Sequence, residues 1–251
     1  MNLSIIRSLL LSVAAFMVSN CSVVAGNVTV SGTITNPVSK KICIKPDVFL
    51  SEQGCNSAML DEKGGFLVTF DLKANGYFKF IHGHEYTIMY LEPGYNIDIT
   101  INPEEFDETI SYKGKGAEPN NYLASKYLLV EKLMGDMSEF YELAPLDFIK
   151  KNNSIRRATE REFITRCSGS DISDDFRKLE RPSLMYNWAD MLLKYKMYHE
   201  GLTNDDLQAI APTMKDVYAL NREQPELLGA RTYRDFLMDL LFDNAAQALK
   251  A

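Results

Sequence analysis

A chain of 251 residues, 46% hydrophobic and 24% charged, is long enough for one large or two small domains and can bury a full core. Its 34 acidic residues outnumber 27 basic ones for a net charge of −7, and the basic pairs Lys40-Lys41 and Arg156-Arg157 stand apart from each other. That balance argues against a nucleic-acid partner, because a binder must neutralise phosphates with clustered cations.

Residues 1–26 read as a signal peptide: Arg7 is their only charge, and the apolar run from Leu9 to Val18 has the length of a leader core and is too short to span a bilayer. Export follows, to the periplasm or the outer membrane. Two processing patterns compete. Val23-x-Ala25 offers the small residues that signal peptidase takes, whereas Val18-Ser19-Asn20-Cys21 resembles a lipobox that would place lipid on Cys21. Asn20 fits poorly before such a cysteine, so release is favoured over a lipid anchor, the only membrane attachment expected.

From residue 27 to residue 116 the signals are those of β structure. Val28 to Thr35 alternates and ends at Asn36-Pro37. Lys41 to Lys45 follows, with a resumption through Val48, Phe49 and Leu50. Ser57 to Leu60 and Phe66 to Leu72 flank Asp61-Glu62-Lys63-Gly64-Gly65, whose glycines suit a tight hairpin. After Tyr77 to Ile81 comes the most legible stretch, His84 to Ile101. It reads as one hairpin, turning at Glu92-Pro93-Gly94-Tyr95 because Pro93 presets φ and Gly94 supplies the positive φ of a type II turn. Beyond that turn Tyr95, Ile97, Ile99 and Ile101 share one face; before it both faces are largely apolar, so that strand is expected to be covered on two sides. A last strand runs from Thr109 to Lys113. The predicted module is an antiparallel β-sandwich or partly open barrel.

At Gly116 the period changes to that of helices, and residues 117–251 are expected to form an α-helical bundle, making the whole an α+β protein. Asn120 or Asn121 is placed to cap the first helix, whose stripe is Leu123, Tyr127, Val130 and Met134. A second helix starts near Pro145 and carries Phe148, Ile155, Phe163, Ile164 and Cys167. The third spans Ser173 to about Glu200 with Phe176, Leu179, Trp188, Leu192 and Tyr195, Pro182 as a kink and Gly201 as its close. Thr203 and Asp206 form a capping-box variant for a fourth helix through Val217. The last, from Ala230, is expected to bury Tyr233, Phe236, Leu237, Leu240, Leu241 and Asn244 on one face.

The chemistry-bearing residues form no catalytic constellation. His82-Gly83-His84 could present two imidazoles on one strand face, but no third ligand accompanies them and no metal site is expected; Gly83 suits a turn equally well. His199 sits where a helix C-terminus favours it. Gly114-Lys115-Gly116 lacks the spacing of a phosphate cradle, and Asp171, Asp174 and Asp175 belong to a helix start rather than a calcium loop. No cofactor is expected. Three cysteines remain after export. Cys43 and Cys55 bracket a loop and are either bridged or two buried thiols, while Cys167 falls on a helix stripe; no pair has Cys-x-x-Cys spacing.

The order of the leader, the first strand containing Gly32, Asp61-x-x-Gly64-Gly65-Phe66, Leu91-Glu92-Pro93-Gly94 with Ile97-Asp98-Ile99, and Gly114-Lys115-Gly116-Ala117-Glu118-x-Asn120-Asn121-Tyr122-Leu123 resembles the N-terminal region of TlpA-type envelope thiol:disulfide oxidoreductases. The resemblance covers nearly all of the chain after the leader. It implies a β-rich module and a helical segment that precede a thioredoxin domain carrying the active Cys-x-x-Cys. This chain ends at Ala251, where that domain would be expected to begin, so no catalytic residue carries over. The resemblance therefore implies a non-catalytic exported module, accessory to or binding a protein partner in the envelope. Alternatives are a thiol:disulfide interchange protein whose thioredoxin domain is encoded separately, and a structural envelope protein.

Overall fold

The computed structural model describes residues 26–48, 54–169 and 171–249, so the leader, Cys21, Phe49 and Leu50 lie outside the described residues. The protein is α+β, with two four-stranded sheets and seven α-helices among those residues.

The first sheet holds β1 (Gly26–Ile34), β4 (Gly65–Leu72), β7 (Asn96–Ile101) and β8 (Ser111–Lys115) in the order β4-β1-β7-β8. The β1 and β7 strands run parallel, and the other pairings are antiparallel. In β1 the alternation turns Val28, Val30 and Ile34 inward, and Gly32 takes the inward place between them. A Cβ at Gly32 would lie 2.2 Å from the Ile99 carbonyl oxygen and 2.8 Å from the Phe66 ring, so the strand gives up a side chain there to let that ring cover it. The second sheet, fully antiparallel, holds β2 (Lys41–Pro46), β3 (Asn56–Met59), β5 (Gly76–His82) and β6 (Glu85–Leu91) in the order β3-β2-β5-β6. The two sheets meet through aromatic pairs: Phe66 to Phe80 at 5.6 Å and Phe70 to Phe78 at 6.2 Å between ring centroids.

The stretch from His84 to Ile101 is not a hairpin. Its turn forms as expected, with Gly94 at φ 82° and the Tyr95 N–H donating to the Glu92 carbonyl at 3.1 Å. However, β6 pairs with β5 in the second sheet, and β7 crosses to the first sheet to lie beside β1. Turn residues fix the local reversal and leave the choice of strand partner open. The Gly94 N–H donates to Asn27 and the Thr29 N–H to Tyr95, which pins the corner to β1. The Asp61–Gly65 turn behaves likewise: Asp61 Oδ1 accepts from the N–H groups of Lys63 and Gly65, each at 2.8 Å, while β3 and β4 belong to different sheets. A short 3-10 turn, Pro103–Glu105, and α1 (Phe106–Thr109) occupy the approach to β8, so the strand expected from Thr109 begins at Ser111.

The helices are α2 (Ala117–Met134), α3 (Met137–Tyr141), α4 (Pro145–Arg166), α5 (Asp174–Tyr198), α6 (Asn204–Tyr218) and α7 (Arg231–Ala248). Their starts obey local rules. Asp136 accepts from Ser138 and Glu139, Pro145 opens α4, the Ser173 hydroxyl accepts from Phe176, and Thr203 with Asp206 closes a reciprocal capping box. Pro182 lies within α5 without ending it. The helical core is aromatic: Phe148 stacks on Tyr195 at 4.0 Å, and Tyr186 contacts Tyr233 and Phe236 at 4.7 and 5.1 Å. Tyr127 and Ile164, expected on apolar stripes, are exposed instead.

Candidate functional site

Two junctions tie the helices to the sheets. In the first, consecutive asparagines near the start of α2 each serve one sheet edge. Asn120 accepts from the Tyr90 N–H at 2.8 Å and donates back to the Tyr90 carbonyl at 2.9 Å, acting as one more residue beside edge strand β6. Asn121 does the same for Tyr112 of edge strand β8, at 3.0 and 2.9 Å. Neither caps the helix as expected; its N-cap is Gly116, at φ 97°, with no side-chain bond. The side chains instead satisfy strand groups that would otherwise be buried and unpaired, which costs more to leave open than a solvated helix end.

In the second junction, Glu180 of α5 is buried against the outer face of the second sheet. It accepts from the Tyr77 hydroxyl at 2.7 Å, the Tyr122 hydroxyl at 3.0 Å and Lys126 Nζ at 2.5 Å. Burial first, and then the Glu180 charge, push the Tyr77 phenol well above its ordinary range, so it remains a donor. Tyr90 and Phe176 pack beside this group, 4.9 Å apart. The Glu180 bonds reach one strand, through Tyr77 of β5, and one other helix, through Tyr122 and Lys126 of α2, which makes the carboxylate a tie between regions.

The residues singled out in the sequence are dispersed. Cys43 in β2 is bonded to Cys55, just before β3, with Cα atoms 5.6 Å apart. Cys167 is free and buried, and burial pushes its thiol up to about 12. His82 and His84 part company at a two-residue turn between β5 and β6, with Gly83 at φ 63°. His82 is fully buried, its Nε2 accepting from the Val38 N–H at 3.1 Å while Nδ1 lies 3.3 Å from the Lys41 carbonyl; burial lowers its pKa. No group of three potential metal ligands occurs among the described residues. His199 caps α5 and contacts the Tyr141 carbonyl at 2.7 Å. Asp174 pairs with Arg177, and Asp175 accepts from Asn75 of the β4–β5 connection. An open cleft of about 370 Å³ beside α2 includes Asp107, Glu108 and Glu118; burial and the neighbouring carboxylates raise the Asp107 pKa.

Helix α7 has the arrangement that stands out. Tyr233, Phe236 and Leu240 face the core as expected, but Leu241 and Asn244 do not; they face solvent. On the opposite side Met238, Leu241, Phe242, Ala245 and Leu249 recur at helical spacing, with Leu241 68%, Phe242 58% and Leu249 89% exposed. The acids on this stretch turn away from that face. Asp243 is paired with Lys196 and accepts from the Tyr218 hydroxyl at 2.6 Å. Asp239 and Asp190 share Lys194 Nζ at 3.6 and 2.5 Å. Burial, then the hydrogen bond with Asp239, raise the Asp190 carboxyl to about 7 against the opposing pull of Lys194. The N-terminal turns of α7 are held to the second sheet, where Arg231 donates to the Tyr86 hydroxyl at 3.0 Å and Arg234 to the Asp47 carbonyl at 2.6 Å. The helix is therefore held by its first turns and by the side carrying Tyr233, Phe236 and Leu240, and from Met238 onward it is apolar on the opposite side. Periodicity counted its apolar residues without separating two opposed faces; plotting Met238 and Leu249 with Leu241 would have revealed the second.

Comparison with family models, with curated proteins and with solved structures finds no match for the chain.

Proposed function

We propose that the chain is a non-catalytic, exported accessory module that docks a protein partner on the outward face of α7. In this reading the two sheets form an antiparallel-rich sandwich, the helices after Gly116 form a bundle beside it, and the whole corresponds to the part that precedes the thioredoxin domain in TlpA-type oxidoreductases. One observation carries it: α7 is apolar on two opposite sides and only one is covered. A helix apolar all round belongs in a core, and an exposed contiguous apolar surface marks a binding site. The Cys43–Cys55 bridge is in keeping with an oxidising compartment, where the chain is either released or anchored through Cys21. Neither the bridged pair nor the buried Cys167 supplies an accessible thiolate for exchange.

The test places a photo-reactive amino acid at Phe242 or at Thr69, on the outer face of the first sheet, in producing cells. Irradiation is expected to give a discrete protein adduct from position 242 and none from position 69. Absence of any adduct at 242 would overturn the docking reading. The purified chain is expected to reduce insulin no faster than the dithiothreitol blank; turnover above the blank would overturn the non-catalytic one.

A further inference from the structure

On the covered side of α7, we infer that Asp239 and Asp190 of α5 hold one proton between them, and that this proton latches the second half of α7 to α5. Donors and charges both fall one short at this contact. Lys194 Nζ lies 2.5 Å from Asp190 Oδ2 and 3.6 Å from Asp239 Oδ2. Asp190 Oδ1 and Asp239 Oδ2 are sealed from solvent, and neither receives a hydrogen bond. The two carboxyl groups stand within hydrogen-bond reach of each other, yet as ionised carboxylates both could only accept. A proton on either one supplies the missing donor and leaves one carboxylate for one ammonium.

Among the described residues, Lys194 is the one cation paired with either carboxyl group. Asp235 of α7 adds a further negative charge beside Lys194, already answered by Arg231 at 3.4 Å. Tyr198 of α5 and Tyr141 of α3 complete the surroundings, and burial holds the Tyr141 phenol above its ordinary range, so it stays neutral. One turn further along α7, Asp243 shows the balanced arrangement: Lys196 matches its charge, and Tyr218 and Gln247 donate to it at 2.6 and 2.7 Å. Two carboxylates on one cation instead resist ionising together, in keeping with the raised Asp190 carboxyl. When the proton leaves to water, both acids face the single ammonium and the contact between α5 and α7 weakens. The hold on α7 is therefore full below pH 3.8 and is lost as pH rises through about 7. This latch acts on the side of α7 opposite the outward face and does not depend on the docking reading.

Carbon-13 NMR of the aspartate carboxyl carbons in the purified chain tests the sharing. Asp190 and Asp239 are expected to shift together in one step near pH 7. Asp239→Asn is expected to move the Asp190 step down by about one pH unit or more, because the amide can donate to the remaining carboxylate. A step left in place would mean that burial alone raises Asp190, and would overturn the sharing. So would the absence of any step between about pH 5 and pH 8. Amide hydrogen exchange at Phe236 and Leu240 reads the latch. Their protection, relative to the same amides in Asp190→Asn, is expected to fall by up to about tenfold per pH unit between about pH 4 and pH 7, with groups common to both chains cancelling. Unchanged circular dichroism confirms that each variant is folded. A ratio independent of pH would overturn the latch. Failure of the adduct at position 242 with these results intact would overturn the docking reading alone.

Discussion

The outer face of the first sheet and the outward side of α7 both meet solvent, and they do so in opposite ways. On the sheet, Thr29 and Thr69 are hydrogen-bonded across strands at 3.2 Å, and Ser31 donates to Asp98 at 3.0 Å. Leu67 lies among these polar groups, sharing a shallow cleft with the exposed Met59, as scattered exposed apolar residues commonly do. On α7 the proportions are reversed: Leu241, Phe242 and Leu249 form a continuous surface, with the nearby acids folded under it. The difference teaches that exposure alone does not mark a face as finished. The sheet surface satisfies its own polar groups, whereas the helix surface leaves apolar area in water that a partner would remove.

The comparison breaks first if the anchored side of α7, and the junction beneath the sheets, are not what holds the molecule together. Replacing Glu180 by Ala would leave Lys126 and two phenols without their acceptor, and a loss of about 3–5 kcal/mol is expected in urea unfolding, the scale for breaking a buried pair. A loss below about 1 kcal/mol would mean that the carboxylate behaves as a surface ion. Across α7 itself, Phe236→Ala on the covered side is expected to cost about 3–5 kcal/mol. Phe242→Ala on the outward side of the dilute chain should stay within about 0.5 kcal/mol. Equal costs would show that both sides are core.

A smaller effect sharpens the account of the folded-under acids. Asp190 titrates at about 7 in the folded protein against 3.8 ordinarily, so the stability its protonated form provides is full below pH 3.8 and is lost as pH rises through about 7. Lys194, Asp239 and the Tyr141 phenol surround it. Asp190→Asn keeps a neutral side chain throughout, so the variant is expected to gain on the parent between about pH 4 and pH 7 in paired denaturation curves, with groups common to both cancelling. A pH-independent difference would place Asp190 in ordinary, ionised pairing. His82 acts with the opposite sign: burial disfavours its charged form and lowers its pKa, so it loses stability as pH falls below 6.5, and protonation would also remove the acceptor that Val38 uses.

Much of this was legible in the sequence, and the rest was hidden for physical reasons. Local rules located the Pro93-Gly94 turn, the Ser173 start and the Thr203–Asp206 box, because each is decided within a few residues. The partner of β7 was not legible, since its face of Ile97, Ile99 and Ile101 is satisfied by either sheet and only the long-range pairing to β1 decides. Asn120 and Asn121 looked like caps because the groups they serve, on Tyr90 and Tyr112, lie 30 and 9 residues away in the chain. On α7, apolar spacing established a helix, yet it could not tell which of two apolar sides the neighbouring helices would cover.

Hydroxyl-radical footprinting of the chain in producing cells and as a dilute purified protein tests the central contrast most directly. Leu241 and Phe242 are expected to be protected in cells and to become reactive on dilution, while Leu67 on the sheet reacts equally in both. Equal reactivity of Leu241 and Phe242 in the two samples would mean that this face meets water in the working state, and would contradict the account.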